Sequence, residues 1–447
     1  MLRTPAGACY NRCREIAVVL WLLRSWHPHS RCGLLRGVKK ILLIEALANS
    51  GSYVLDAAAA LDARVFVATH EDVYEGYPTA LRDKIHGTVF TDLTDPDRAL
   101  ADLTAFAGTT GIDAVAGCWE FFTPLVAHLA HRLGLPGNDP LRAHACRNKA
   151  DMAQALLAGR VPAPRTVSVH TAEEAAHALG RAGIPFPVVV KPAEQGGSWG
   201  VSVVDSPERL DSAVRLARSW PVAAPHGLPM DQRVVVQEYV PGPEFSLDTV
   251  AWRDKYFHLP LVEKHTTGGT FRAETGHTCP AALTPAGLDA LRTAAEAALR
   301  ALGIRNGVAH TELKTAPGRG PVVIEVGARL PGDHLVDVVR RASGIDEARA
   351  YLQAVLDEEP DVPEPRRGAC AIRFLTPPRA GTFQGVTILG RHDALVGRHI
   401  TTPAGTAVGD AHDNSARIGH LVFTALTPAQ VNADAARALA HTRVEVS

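Results

Sequence analysis

Two acids on either side of a short turn set the first chemical constraint in this chain. Glu312 lies in His310-Thr311-Glu312-Leu313-Lys314 and Glu325 in Val322-Val323-Ile324-Glu325-Val326, separated by Pro317-Gly318-Arg319-Gly320. Two apolar-alternating segments joined by such a turn pair antiparallel, which sets the carboxylates side by side. Like charges that close repel, and a cation relieves the repulsion; hard oxygen ligands beside a triphosphate favour magnesium. Glu325 sits in a strongly apolar strand, where an unpaired carboxylate is costly, and this favours the metal role.

Cations and glycines precede the acids. Lys149 follows Arg147-Asn148 at a helix start, where an ammonium can meet a phosphate beside the positive helix end; alone, it reads more often as a solvated side chain. Lys191 ends the apolar run Val188-Val189-Val190 and is held more rigidly than a loop residue would be. Next come Gln195, Gly196, Gly197, Ser198, Trp199 and Gly200, whose glycines let backbone N–H groups approach phosphate oxygens. An ordinary hairpin turn is the rival reading, and the absence of Gly-Lys-Ser/Thr rules out a Walker loop. Glu238 and Glu244 flank Pro241-Gly242-Pro243, so they either face one crevice from consecutive strands or stand as exposed strand-end charges. Arg329, in Gly327-Ala328-Arg329-Leu330-Pro331-Gly332-Asp333, can clamp a phosphate or carboxylate bidentately.

The elements that position these residues follow from length and periodicity. A chain of 447 residues divides into two to four packed units, and 46% hydrophobic with 21% charged residues is a globular composition. A formal charge of -1 provides no field to gather nucleic acid or an anionic membrane. The seven cysteines form no CxxC zinc spacing, which fits reduced thiols and a cytoplasmic protein. Residues 1–37 read as a leader outside the fold, with a misassigned start as one explanation; the apolar run at 16–23 is too short to span a bilayer. Strand, turn, helix and strand then recur over 38–137, an open α/β domain. Its turn Asn49-Ser50-Gly51-Ser52 is a tight connection or serves the substrate side. Residues 138–365 carry all five chemical features, and 366–447 read as a β-rich C-terminal subdomain.

Lys149, Lys191 with its glycine-rich loop, the Glu238/Glu244 pair, Glu312/Glu325 and Arg329 occur in an order that resembles the ATP-grasp superfamily, and within it the bacterial L-amino-acid (dipeptide) ligases. The resemblance covers nearly all of 38–447 and implies an ATP-grasp fold, α/β and α+β in class, with an N-terminal open α/β domain. It implies that Lys149 and Lys191 contact ATP phosphates under the loop Gln195 to Gly200, that Glu238 with the Tyr239-Val240 backbone reads adenine, and that Glu244 holds the ribose. Glu312 and Glu325 take the magnesium positions, with manganese as a substitute, and Arg329 matches the arginine that stabilises an acyl phosphate. Residues 266–281 look like the substrate loop, with Glu274 and His277 near the amine or carboxylate, although His277 also reads as structural. Gly332 and Asp333 fall on the substrate side. The partners implied are a small carboxylate and a small amine, and dimers are common in the family. Gly327 departs from the pattern, because many members carry Asn there; a water or Asp333 would have to supply the missing oxygen of a second metal site. The expected reaction is ATP-dependent amide formation; an ATP-grasp ligase for a non-amino-acid carboxylate and a non-catalytic ATP-binding module are the alternatives.

Overall fold

The run Lys-Ile-Leu-Leu-Ile forms β1 (Lys40–Ile44), buried from Ile41 onward, as a strand covered on both faces must be. It pairs in parallel with β2 (Arg64–Thr69), and outside that lies β3 (Gly87–Phe90); β4 (Ala114–Gly117) flanks its other edge. Helices Ala48–Ala60, Pro96–Thr110 and Thr123–Leu133 complete the α/β domain expected from the sequence. Ligands of such sheets gather beyond the strands' carboxyl ends. Trp119 and Glu120 leave β4 in that direction. The computed structural model describes residues 37–447, so the leader expected at 1–37 lies, up to residue 36, outside the described residues. Lys40–Ser447 form one compact unit.

A second sheet contains β5 (Thr166–Val169), β6 (Val188–Pro192) and β7 (Ser202–Val204). A small hairpin, β8 (Val222–Ala223) with β9 (Leu228–Pro229), precedes its last strand, β10 (Val234–Glu238), and the order is β5-β10-β6-β7, all antiparallel. Helices Ala172–Ala182 and Leu210–Ala217 bury Leu179, Leu210 and Val214 in the same core as Val188, Val190, Val234 and Val236. The small hairpin leaves this body: Ala223 and Leu228 pack into the N-terminal α/β core, and His226 lies 2.7 Å from buried Glu45.

The remaining strands are β11 (Glu244–Trp252), β12 (Lys255–His258), β13 (Val262–Thr266), β14 (Glu274–Cys279), β15 (Gly307–Ala316), β16 (Gly320–Gly327), β17 (Ala369–Leu375), β18 (Gly381–Ile388), β19 (Leu395–Ile400), β20 (Ala407–Val408), β21 (Gly419–Ala425) and β22 (Thr442–Val446). Nine of them make one sheet ordered β16-β15-β11-β13-β14-β17-β21-β19, with β12 on β11. The sheet runs on across residue 366, because β17 pairs with β14. Side chains alternate between faces along a strand. On β11 and β15 this sends Phe245, Leu247, Ala309 and Leu313 into the core under helix Pro285–Ala301, and Glu244, Ser246, Asp248, His310, Glu312 and Lys314 to the opposite face. All the chemistry described next lies on that face or against it. Cys118, Cys146, Cys279 and Cys370 are buried and free, although Cys279 and Cys370 face each other across β14 and β17.

Candidate active site

The register pairs Glu312 directly with Glu325 across β15 and β16, as the hairpin reading expects. Strict alternation alone would not allow it. Val323 lies in the core, and two residues later Glu325 would share its face; an irregularity opposite Glu312/Leu313 leaves Ile324 as an extra residue and turns Glu325 to the site. A second irregularity does the same on β14, where Glu274 opposes Thr266 and Gly276 opposes His265, so that Thr275 is the extra residue. Glu274 and His277, three apart, thereby reach one cluster. The segment 266–281 is a loop only through Ala273, because Glu274–Cys279 are strand.

Both expected lysines converge on the second acid. Lys149 Nζ lies 2.9 Å and Lys191 Nζ 4.0 Å from Glu325 carboxylate oxygens, and both lysines are buried. Burial opposes charge on each: Lys191 is pulled below its ordinary value, whereas Glu325 and then Glu120 carry Lys149 above its own. Asn148 caps the helix that begins at Lys149, accepting from the N–H groups of Ala150 and Asp151. Two hard, adjoining carboxylates held by lysines rather than locked to arginines suit a magnesium ion arriving with a triphosphate.

A third cation was not anticipated. Lys264 on β13, 3% exposed at its side chain, sits 2.5 Å from Glu312, 2.8 Å from Glu274 and 3.3 Å from Glu244. It thus links the acids expected at the ribose, at the metal and at the substrate. Burial would raise the Glu312 pKa, but Lys264 and then His310 hold it well below the usual carboxylate range. His310 donates toward Asp248 at 2.7 Å and lies 3.5 Å from Glu312.

The glycine-rich loop covers the cleft. Gly197, Ser198 and Gly200 all have positive φ, and a Cβ at Gly200 would stand 2.8 Å from Trp220 and 3.2 Å from the Ala217 backbone. Lys149 donates to the Gln195 carbonyl at 2.5 Å, Ser198 Oγ donates to Arg272 O at 2.9 Å, and Trp199 packs against Trp220. Gly196, Tyr239, Val240, Glu238 and Glu244 line the same cleft. Glu238 reaches it from the second sheet with its carboxylate between Arg165 at 3.2 Å and Arg319 at 2.9 Å.

On the side expected to take the substrate, Arg329 donates to Glu120 at 2.9 Å. This acid comes from the turn after β4, in the N-terminal domain. Its one sequence signal was an acid placed directly between a buried strand and an apolar helix. Asp333 accepts from Arg417 at 2.7 and 3.0 Å and lies 3.2 Å from His277; Glu274 also takes Arg417 at 3.2 Å. Glu274, His277 and Asp333 lie within 4.8 Å of one another, but the guanidinium already supplies their positive charge. Both Asp333 oxygens are held by Arg417, so neither is free for the position that Gly327 leaves open. Gly332 lines the same small recess. The residues expected as a turn, Asn49–Ser52, instead form the start of helix Ala48–Ala60; Asn49 Nδ2 lies 3.2 Å from a ring nitrogen of His334 and Ser50 Oγ 3.5 Å from Pro331 O, so this helix start abuts the Pro331–His334 loop.

Comparison with known proteins gives the same outline. Residues 55–137 match the ATP-grasp N-terminal domain, 184–337 the ATP-grasp domain and 373–447 the L-amino acid ligase C-terminal domain 2. The chain is 24% identical to alanine–anticapsin ligase of Bacillus subtilis over 66% of its length and 68% of that protein. It is 29% identical to carnosine synthase 1 of Gallus gallus over 80% of its length, but spans only 39% of that longer protein. The crystal structure of L-amino acid ligase from Bacillus licheniformis superposes with a TM-score of 0.74 at 22% identity, covering 92% of this chain and 99% of that one.

Proposed function

We propose, for a chain that is an ATP-grasp carboxylate–amine ligase related to the L-amino-acid ligases, that it activates an amino acid as its acyl phosphate and joins it to an amine, giving a dipeptide or related amide. The observation that carries this reading is the direct pairing of Glu312 with Glu325 within reach of Lys149 and Lys191. Lys149 and Lys191 hold the ATP phosphates, with Gln195 to Gly200 above them; Glu238 and the Tyr239-Val240 backbone take adenine, and Glu244 the ribose. Glu312 and Glu325 hold magnesium, or manganese in its place. An ion held by these two carboxylates would supply positive charge against the triphosphate.

The γ-phosphoryl group passes from ATP to a substrate carboxylate oxygen, the bond to the β-phosphate oxygen breaks, and ADP leaves. The amine nitrogen then attacks the acyl carbon and expels phosphate, losing its proton as the amide forms. Catalysis rests on positioning and charge, with Arg329 against the acyl phosphate and Glu274, His277, Gly332 and Asp333 around the amino acid. Water would destroy the intermediate. Contact between the loop at Ser198 and the loop at Arg272 supports closure over it. The similarity to alanine–anticapsin ligase supports a place in peptide natural-product biosynthesis.

Mass spectrometry of products from ATP, Mg2+ and mixed amino acids tests the substrate class: a new amide with matching ADP is expected, and turnover only with other carboxylates would overturn it. Glu325→Ala should abolish ADP formation with every substrate, and retained turnover would refute the metal assignment.

A further inference from the structure

We infer that Arg417, supplied by the C-terminal segment, is a positioning residue of the substrate site: it fixes Glu274 and Asp333, while its neighbour Asn414 ties Glu274 to the glycine-rich loop. The inference rests on the proposed placing of the amino acid at Glu274 and Asp333. Arg417 donates to both Asp333 oxygens at 2.7 and 3.0 Å, to Glu274 Oε2 at 3.2 Å and to the Glu274 backbone carbonyl at 3.1 and 3.3 Å. Its planar fork matches that array, and a lysine has no equivalent geometry. The Phe374 ring backs it, with the guanidinium carbon 3.6 Å from the ring centroid, and the side chain is 11% exposed. It is held from the ring face as well as from its bonding edge, which suits a fixed support better than a group that swings out.

The support extends to the nucleotide. Asn414 accepts from the Glu274 N–H at 3.0 Å, donates to Glu274 Oε2 at 3.1 Å, and its own N–H donates to Gly197 O at 3.2 Å. Asp413 stiffens this turn by accepting from the Ser415 N–H at 2.8 Å, and His412 stacks on Phe271 of the substrate loop at 4.2 Å. One segment, residues 410–417, therefore grips the substrate acid, the substrate loop and the loop over the phosphates. Asp333 and His334 both have positive φ, a backbone that persists only where the surroundings over-determine it, and Arg417 is the cation doing so at Asp333. Without the guanidinium, Glu274 and Asp333 would face each other as like charges, and one would take a proton or turn away.

The test uses the full chain with Arg417→Ala, Arg417→Lys and Asn414→Ala, reading phosphate release against each substrate in turn. Arg417→Ala should raise KM for the amino acid by about ten-fold or more while KM for ATP stays within about two-fold, and Arg417→Lys should restore only part of the loss. Asn414→Ala should raise KM for the amino acid by a smaller factor and leave KM for ATP within about two-fold, because it removes the two side-chain bonds to Glu274 and keeps the backbone N–H on Gly197 O. Equal rises in both constants for Arg417→Ala with a fallen melting temperature, unchanged constants, or full restoration by lysine would each overturn the proposal. A crystal structure of Arg417→Ala gives a readout that needs no turnover: displaced Glu274 and Asp333 carboxylates support the inference, and unmoved ones refute it. If the wild-type chain makes no amide from any amino acid, the functional reading has failed, and that structure still decides the role of Arg417.

Discussion

Replacing Lys264 by methionine removes the charge from the centre of the site and keeps the length of the side chain. In the wild type, one buried ammonium serves Glu312, Glu274 and Glu244 at 2.5, 2.8 and 3.3 Å. Breaking a buried pair by deleting one partner costs about 3–5 kcal/mol, because the other charge is left in a poor solvent. Three orphaned carboxylates argue for the upper part of that range; their ability to pick up a proton argues against going beyond it. At about 2–4 °C per kcal/mol for a large domain, the ligand-free protein should melt on the order of 10 °C lower. The same deletion should strengthen divalent-ion binding, since Lys264 competes for Glu312 and the site gains a negative charge. Scanning fluorimetry with and without Mg2+ or Mn2+ reads both effects: the variant's deficit should shrink as the ion is added, with an apparent ion affinity about ten-fold tighter than wild type. A melting point within about 1 °C of wild type, together with an unchanged ion dependence, would refute the view of Lys264 as the hub of the acidic cluster.

Glu120→Gln keeps the shape that meets Arg329 but removes the charge; a charge-assisted bond of about 1.5–3 kcal/mol is lost, and the rate of phosphate release should fall about ten- to a hundred-fold, whereas an unchanged rate would show that Arg329 needs no partner from the N-terminal domain. Gly200→Ala combines an unfavourable φ with a clash against Trp220 and the Ala217 backbone, so stability should drop by about 1–3 kcal/mol and KM for ATP should rise, as measured by melting and by ATP titration. Burial, and then Arg373 or the neighbouring His334 and His399, pull the His265 and His420 pKa values down to about 4. Such histidines stay neutral in the folded chain while the unfolded chain takes up protons, so stability should fall as pH drops from about 6.5 toward about 4. Melting curves across that window should show the loss, and His420→Phe should flatten part of it; a flat wild-type profile would contradict the placement of these rings.

What the sequence determined by itself was local. The pairing of Glu312 with Glu325 was legible because a short turn joins their strands, and a tight hairpin leaves few registers to choose from. The apolar run before Lys191, the glycines at 196, 197 and 200, and the helix start at Lys149 likewise act within a few residues of themselves, so they could be read in order along the chain.

What only the tertiary structure decided depends on contacts far apart in sequence. Lys264 becomes the hub because β13 is inserted between β11 and β14, a sheet order that no local pattern encodes. Glu120 meets Arg329 across 209 residues, and Arg417 and Asn414 reach Glu274 across 143 and 140. The two bulges that turn Glu325 and Glu274 toward the site are invisible to a period of two, because an extra residue looks no different from its neighbours until its partner strand is in place. The residues expected at the phosphates were thus each legible from their own neighbours in sequence, whereas their convergence on Glu325 and the partners of Arg329 and Glu274 were brought in only by the packing of distant segments.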